Sequence, residues 1–116
     1  MIPFLRGTLH WGRLDRRRPV LIVSSDRFNA RSDYLTVIPG STRLRPLVTH
    51  IKLAAGEGGV EKPTMLLCEH IQELRKSDVD PEPLGVVLPR DRMLEVEAAV
   101  LLYLDIAPHQ DPKQVS

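Results

Sequence analysis

The chain has 116 residues, 42% of them hydrophobic and 27% charged, and a single cysteine, Cys68. That length and balance describe one globular domain with one core. A lone cysteine excludes a disulfide framework and a multi-cysteine zinc site, and fits a reducing cytoplasm; no apolar run reaches the roughly 20 residues of a membrane helix, and Met1 to Arg6 is too short for a secretory signal. The net charge of +1 hides an asymmetry, because residues 1–58 carry ten of the sixteen Lys/Arg but four of the fifteen Asp/Glu.

Strand signals fill the front of the chain. Thr8 to Leu14 carries Leu9, Trp11 and Leu14, and Pro19 to Ser24 holds the continuous apolar run Val20-Leu21-Ile22-Val23 of a buried strand. Ser24-Ser25-Asp26 caps a short helical turn running to Phe28-Asn29, with Phe28 assigned to the core. Tyr34 to Pro39 is the next strand. Val48 to Leu53 alternates, with Thr49, Ile51 and Leu53 on one face and His50 and Lys52 on the other, so His50 is expected to be exposed. Gly56, Gly58 and Gly59 mark a flexible loop. Thr64 to Leu74 reads as one long strand, and Leu84 to Leu88 as a last short one isolated by Pro81 and Pro83. Pro89 is expected at the first position of a closing helix, whose apolar stripe is Met93, Val96, Val100, Tyr103 and Leu104. Ala107 to Ser116 reads as a frayed tail. Strands followed by one helix imply an α+β domain with a mostly antiparallel, curled sheet.

A basic half on a near-neutral chain suggests a local anionic partner, with nucleic acid as the candidate. Arginine suits phosphate because its planar fork binds two oxygens and stays charged. Arg18 stands before a rigid proline and a buried strand, next to Arg16 and Arg17. Ser41 follows Pro39-Gly40 at the end of the next strand. If those two strands are antiparallel neighbours, Arg18 meets Ser41 across 23 positions of sequence. Arg43 and Arg45 lie just beyond Ser41. Cys68 reads as a small buried hydrophobe. Cys68-Glu69-His70 lacks the ligand count of a metal site, and the Gly56–Gly59 segment lacks the Lys-Ser/Thr of a nucleotide loop, so no cofactor is expected.

Four stretches in order resemble the MazF/PemK family of toxin endoribonucleases, whose fold is shared with the CcdB gyrase poisons. They are Arg6-Gly7 with Trp11; Arg18-Pro19-Val20-Leu21-Ile22-Val23-Ser24-Ser25-Asp26 with Phe28-Asn29; Pro39-Gly40-Ser41-Thr42-Arg43-Leu44-Arg45-Pro46-Leu47 with Thr49-His50; and Leu66-Leu67-Cys68-Glu69-His70-Ile71 with Lys76 and Leu84-Gly85. The resemblance implies a single toxin domain over residues 1–107 and a small SH3-like barrel with a C-terminal helix. It implies a homodimer, a cognate antitoxin with an acidic disordered segment, and sequence-specific, metal-independent cleavage of single-stranded RNA. Arg18 and Ser41 take the positions of the family's catalytic pair. Arg16, Arg17, Thr42, Arg43, Arg45, His70 and Gln72 are the expected RNA contacts. The family usually has a longer loop between its first two strands, where this chain has Asp15-Arg16-Arg17, and no acidic residue of that loop aligns here. Gln72 stands where the family tends to have arginine. The alternatives carried are a CcdB-like gyrase poison and a cleavage-dead member that only binds RNA or antitoxin.

Overall fold

The computed structural model describes residues 3–107; the tail expected at 108–116 lies outside them. Seven strands alternate with short turns before one long helix: β1 (Leu9–Arg13), β2 (Arg17–Ile22), α1 (Asp26–Arg31), β3 (Tyr34–Ser41), β4 (His50–Leu53), β5 (Thr64–Leu67), β6 (Gln72–Arg75), β7 (Val79–Pro83) and α2 (Arg90–Leu104). The strand order is β4-β5-β3-β2-β1-β7, with β6 also on β3, and every pairing is antiparallel. The expected architecture is present with one correction. The sheet ends at β4 and β7 and does not close into a barrel.

The continuous apolar run of β2 has a simple cause: both faces of the sheet are covered. Leu9, Leu21, Ile38 and Leu66 pack with Met93, Val96 and Ala99 of α2 in one cluster. Val20, Ile22, Val37, Leu35 and Leu74 form a second cluster, against which Phe4 and Leu14 pack. Alternate residues of β2 thus serve opposite faces. Of the predicted helix stripe, Met93 and Val96 are buried, while Tyr103 and Leu104 are about half exposed. Pro89 stands one residue outside the helix as its cap.

Several local expectations are corrected by tertiary context. The run Thr64 to Leu74 is two strands, split by a 3-10 turn at Cys68–His70. β5 pairs with the end of β3 and β6 with its start, and the turn takes up the difference between the two registers. Residues 84–88 form no strand; Leu84 and Leu88 each donate one backbone bond, to Leu9 and Gly7. The strand there is β7, which contains Pro81 and Pro83. It lies at the sheet edge, where a residue without an N–H is tolerated. Phe28 is 70% exposed, not core, because α1 buries Asn29 instead; the Asn29 amide donates to the carbonyls of Phe4 and Ser24.

The glycine-rich loop is packed, not flexible. Gly59 has φ +92°, and a Cβ there would stand 2.2 Å from the Leu84 carbonyl oxygen. Gly56 has a similar φ of +96° but faces open space. Gly59→Ala adds a backbone collision to the left-handed strain that Gly56→Ala bears alone. Urea unfolding should therefore show Gly59→Ala losing at least about 2 kcal/mol more than Gly56→Ala.

Candidate active site

The turn between β1 and β2 is short. Arg13 pairs with Arg17, and Leu14 N–H bonds to Arg16 O at 3.0 Å. This leaves Asp15 at the tip, facing Arg18. Arg18 Nε and Nη2 donate to Asp15 Oδ1 and Oδ2 at 2.9 and 3.0 Å, a bidentate pair. The bond from Arg18 draws the exposed Asp15 carboxyl down to about 2, and in return it raises the Arg18 guanidinium above its ordinary range. The Arg18 side chain is 20% exposed, so its fork is reachable from solvent.

β2 and β3 pair through Val20–Pro39, Leu21–Ile38 and Ile22–Val37. The pairing ends at Val20–Pro39; its register, extended by two residues, would bring Arg18 opposite Ser41. The close approach is visible at Gly40, where a Cβ would meet Pro19 at 3.2 Å. Ser41 is 8% exposed. Its Oγ accepts from Arg43 N–H at 3.1 Å, which leaves the hydroxyl proton to donate elsewhere. Beyond the pair lies a cavity of about 390 Å³ whose walls include Trp11, Pro19, Thr42, Lys62 and Thr64. Arg16, Thr42, Arg43 and Arg45 are exposed on the turns that follow β1 and β3, and of these Thr42 is among the cavity walls.

His70 and Gln72 are placed elsewhere. Gln72 pairs with Val37, four residues down β3 from Ser41, or roughly 13 Å at the usual strand rise. Both side chains are exposed there, and the Gln72 amide donates to the His70 carbonyl. Within one subunit they do not join the Arg18–Ser41 end.

A second polar cluster went unread in the sequence. His50 is not exposed: its side chain is 6% accessible. Its Nδ1 donates to Arg45 O and its Nε2 meets Glu69 Oε2, both at 2.7 Å, while Thr49 donates to Glu69 Oε1 at 2.9 Å. Glu69 therefore ties the end of the loop that carries Arg43 and Arg45 to the turn after β5. Burial acts to raise the Glu69 carboxyl, but the bonds from His50 and Thr49 outweigh it and hold it below its ordinary value. His10, in β1, is a fully buried histidine whose ring lies between Thr8 and the Asp80 carbonyl. Cys68 is buried as expected, and burial pushes its thiol up to about 12. Asp15 had a signal in the sequence, three residues before Arg18; Glu69 and His50, 19 positions apart, had none.

The chain matches the description "PemK-like, MazF-like toxin of type II toxin-antitoxin system" over residues 10–104. It belongs to that family. It is 30% identical over 71 residues to Endoribonuclease MazF3 of Mycobacterium tuberculosis, covering 61% of this chain and 68% of that protein. Among solved structures, the Mycobacterium tuberculosis toxin MazF-mt6 superposes with a TM-score of 0.79 at 25% identity, covering 86% of this chain and 98% of that one. A mycobacterial endoribonuclease in complex with its cognate antitoxin matches with a TM-score of 0.78 at 20% identity, over 91% and 99% of the two chains, and shares the fold. Among the described residues of this PemK/MazF family member, no helix is long and apolar enough to cross a membrane.

The Glu69 cluster has a measurable acid response. A carboxyl held below its ordinary value stabilises the fold above the unfolded value near 4.5, and that contribution is lost as pH falls through the lowered one. Glu69→Gln should lower stability at pH 7 by about 1 kcal/mol. Thermal unfolding should show the gap between the two proteins closing as pH drops below 4.5, since protonation then removes the same charge from the wild type.

Proposed function

We propose that this chain is the toxin of a type II pair and acts as a metal-independent, sequence-specific endoribonuclease on single-stranded RNA. The observation that supports the reading is the β2–β3 register, whose last pair is Val20–Pro39 and whose extension by two residues would bring Arg18 opposite Ser41, in a chain of the PemK/MazF family. Cleavage without a metal needs a 2′-OH that attacks its own phosphate, a partner for the charge growing on the phosphoryl oxygens, and a proton for the departing 5′ oxygen. The phosphate displaces the Asp15 carboxylate from Arg18, exchanging one anion for another on the same fork. Arg18 then stabilises the pentacovalent phosphorane and gives a proton through water to the leaving 5′ oxygen, while the proton of the attacking 2′-OH returns through water to Arg18, so the guanidinium ends the step protonated. Ser41 donates its hydroxyl proton to a phosphoryl oxygen. Arg16, Arg17, Thr42, Arg43 and Arg45 hold the strand beside the cut, and His70 and Gln72 contact a more distant part of it.

The same reading supplies the partners. Leu94, Leu102, Tyr103, Leu104 and Ile106 are each about half exposed along and beyond α2, and they form the apolar seam of a homodimer. An acidic disordered segment of the cognate antitoxin lies over the arginines and blocks Arg18. The site of action is the cytoplasm, where the RNA is.

Arg18→Ala should reduce cleavage of a long RNA by on the order of 10²-fold or more, and Ser41→Ala by less, because water replaces a neutral donor more readily than a charge. Wild-type cleavage should persist in chelator and leave a cyclic phosphate and a 5′-hydroxyl by end-group analysis. Activity abolished by chelator and restored by magnesium would refute the mechanism. Light scattering at micromolar concentration should give a dimer that survives high salt, while RNA affinity falls steeply with ionic strength.

A further inference from the structure

The pairing of β1 with β7 is irregular. His10 opposes Pro83 and Gly12 opposes Val79, so the three residues Asp80, Pro81 and Glu82 all face Trp11. Such a bulge re-aims side chains and is fixed by specific contacts. Here the fixing contact is buried. His10, fully inaccessible, donates from Nδ1 to the Asp80 carbonyl at 2.8 Å. Burial lowers the His10 ring below its ordinary value. With its backbone held, Asp80 presents its carboxylate on the Trp11 side. The Arg17 guanidinium lies 4.6 Å from the Trp11 ring centre and 3.5 Å from Asp80. That ion pair is longer than a hydrogen bond, so the carboxylate retains acceptor capacity. Trp11, Arg17, Asp78 and Asp80 wall a cavity of about 330 Å³.

An aromatic ring under an exposed cation is a platform for a flat, polarisable ligand, and every nucleobase has such a face. The carboxylates decide which part of a nucleotide enters. They repel phosphate, so the backbone stays outside and the base goes in. A carboxylate only accepts, and its two oxygens match two donors side by side. Guanine presents that pair, N1–H and the N2 amino group, on its Watson–Crick edge. Adenine and cytosine pair one donor with one acceptor there, and uracil sets its donor between two acceptors. Guanine O6 also accepts from arginine. We propose that the bulge pocket of Trp11, Arg17, Asp78 and Asp80 binds an unpaired guanine of the RNA strand, which takes the place of the Arg17 guanidinium on the Trp11 ring, is read by the Asp80 carboxylate, and leaves Arg17 free to donate to O6. This rests on the RNA reading above and adds a base specificity to it. The pocket adjoins the cut: Arg17 precedes Arg18, and Trp11 also walls the cavity beside Pro19 and Thr42.

Trp11 is the one tryptophan of the chain, so its fluorescence reports on the pocket. The probes are short 2′-O-methyl oligonucleotides, which cannot be cleaved, with a single guanine, inosine or adenine in an otherwise uridine strand. The guanine strand should quench Trp11 and bind at least roughly tenfold tighter than the adenine strand. The inosine strand, lacking the N2 amino group, should fall between them. Asp80→Asn keeps the backbone carbonyl that His10 holds, and should abolish the guanine preference with an unchanged thermal midpoint. Equal affinity for the three strands, an absence of quenching, or a guanine preference undiminished in Asp80→Asn would overturn the proposal. These readouts need no cleavage, so an inactive protein that prefers guanine would sink the nuclease reading alone. A protein that cleaves RNA with no guanine preference near the cut would sink this inference alone.

Discussion

The central strand β3 is hydrogen-bonded along both edges, and the rest of the molecule is arranged by that fact. β2 runs along one edge, while β6 and then β5 share the other. Paired on both sides, the strand leaves few backbone groups for water. Its alternate residues are buried on opposite faces, so a slip of one position would invert both hydrophobic clusters. Gly40 is what lets β5 approach: a Cβ there would stand 2.7 Å from the Thr64 methyl carbon. Ser41, one residue on, is therefore delivered to a fixed place at the sheet end. The candidate site consists of polar turns hung on that rigid edge.

The arginines of the first half do not form a bare positive face. Arg17 is paired with Asp80, Arg6 bonds Glu97, and Arg92 from the acidic half pairs with Glu57 from the basic one. The fold mixes the two halves, and much of the charge asymmetry is cancelled locally. Exposed pairs of this kind add little stability. Arg18 is held by a single carboxylate from its own turn, in the geometry a phosphate would use. Asp15 thereby holds the Arg18 guanidinium in one orientation.

Carboxylates also organise the two flanks. Glu69 draws in Thr49 and His50, and His50 holds the Arg45 carbonyl, so the loop after Ser41 is tied down at its far end. Asp80 is placed by a buried histidine two strands from the site centre. In both cases a histidine bonded to a backbone carbonyl is the clamp. The common logic is that a short chain with a modest core fixes its functional loops by satisfying polar groups in pairs.

The elements whose information is local were legible in the sequence. The apolar run of β2, the Ser25 cap of α1 and the helix after Pro89 each encode their structure within a few residues. The four family stretches were legible for the same reason, since each is a short run of neighbouring residues. The misreadings share the opposite cause. Pro81 and Pro83 argue against a strand until β7 is known to be an edge, and the Gly58-Gly59 turn looks loose until Leu9 and Leu84 are packed against it. His50 falls on the polar side of an alternating strand, yet it is buried by Glu69 from beyond β5. By itself the sequence determined β2, the cap of α1, the helix after Pro89 and the family, because side-chain period and turn chemistry act over a few residues. Only the tertiary structure decided which carboxylate holds which cation and which histidine is buried, because those pairings depend on the register between strands far apart in the chain.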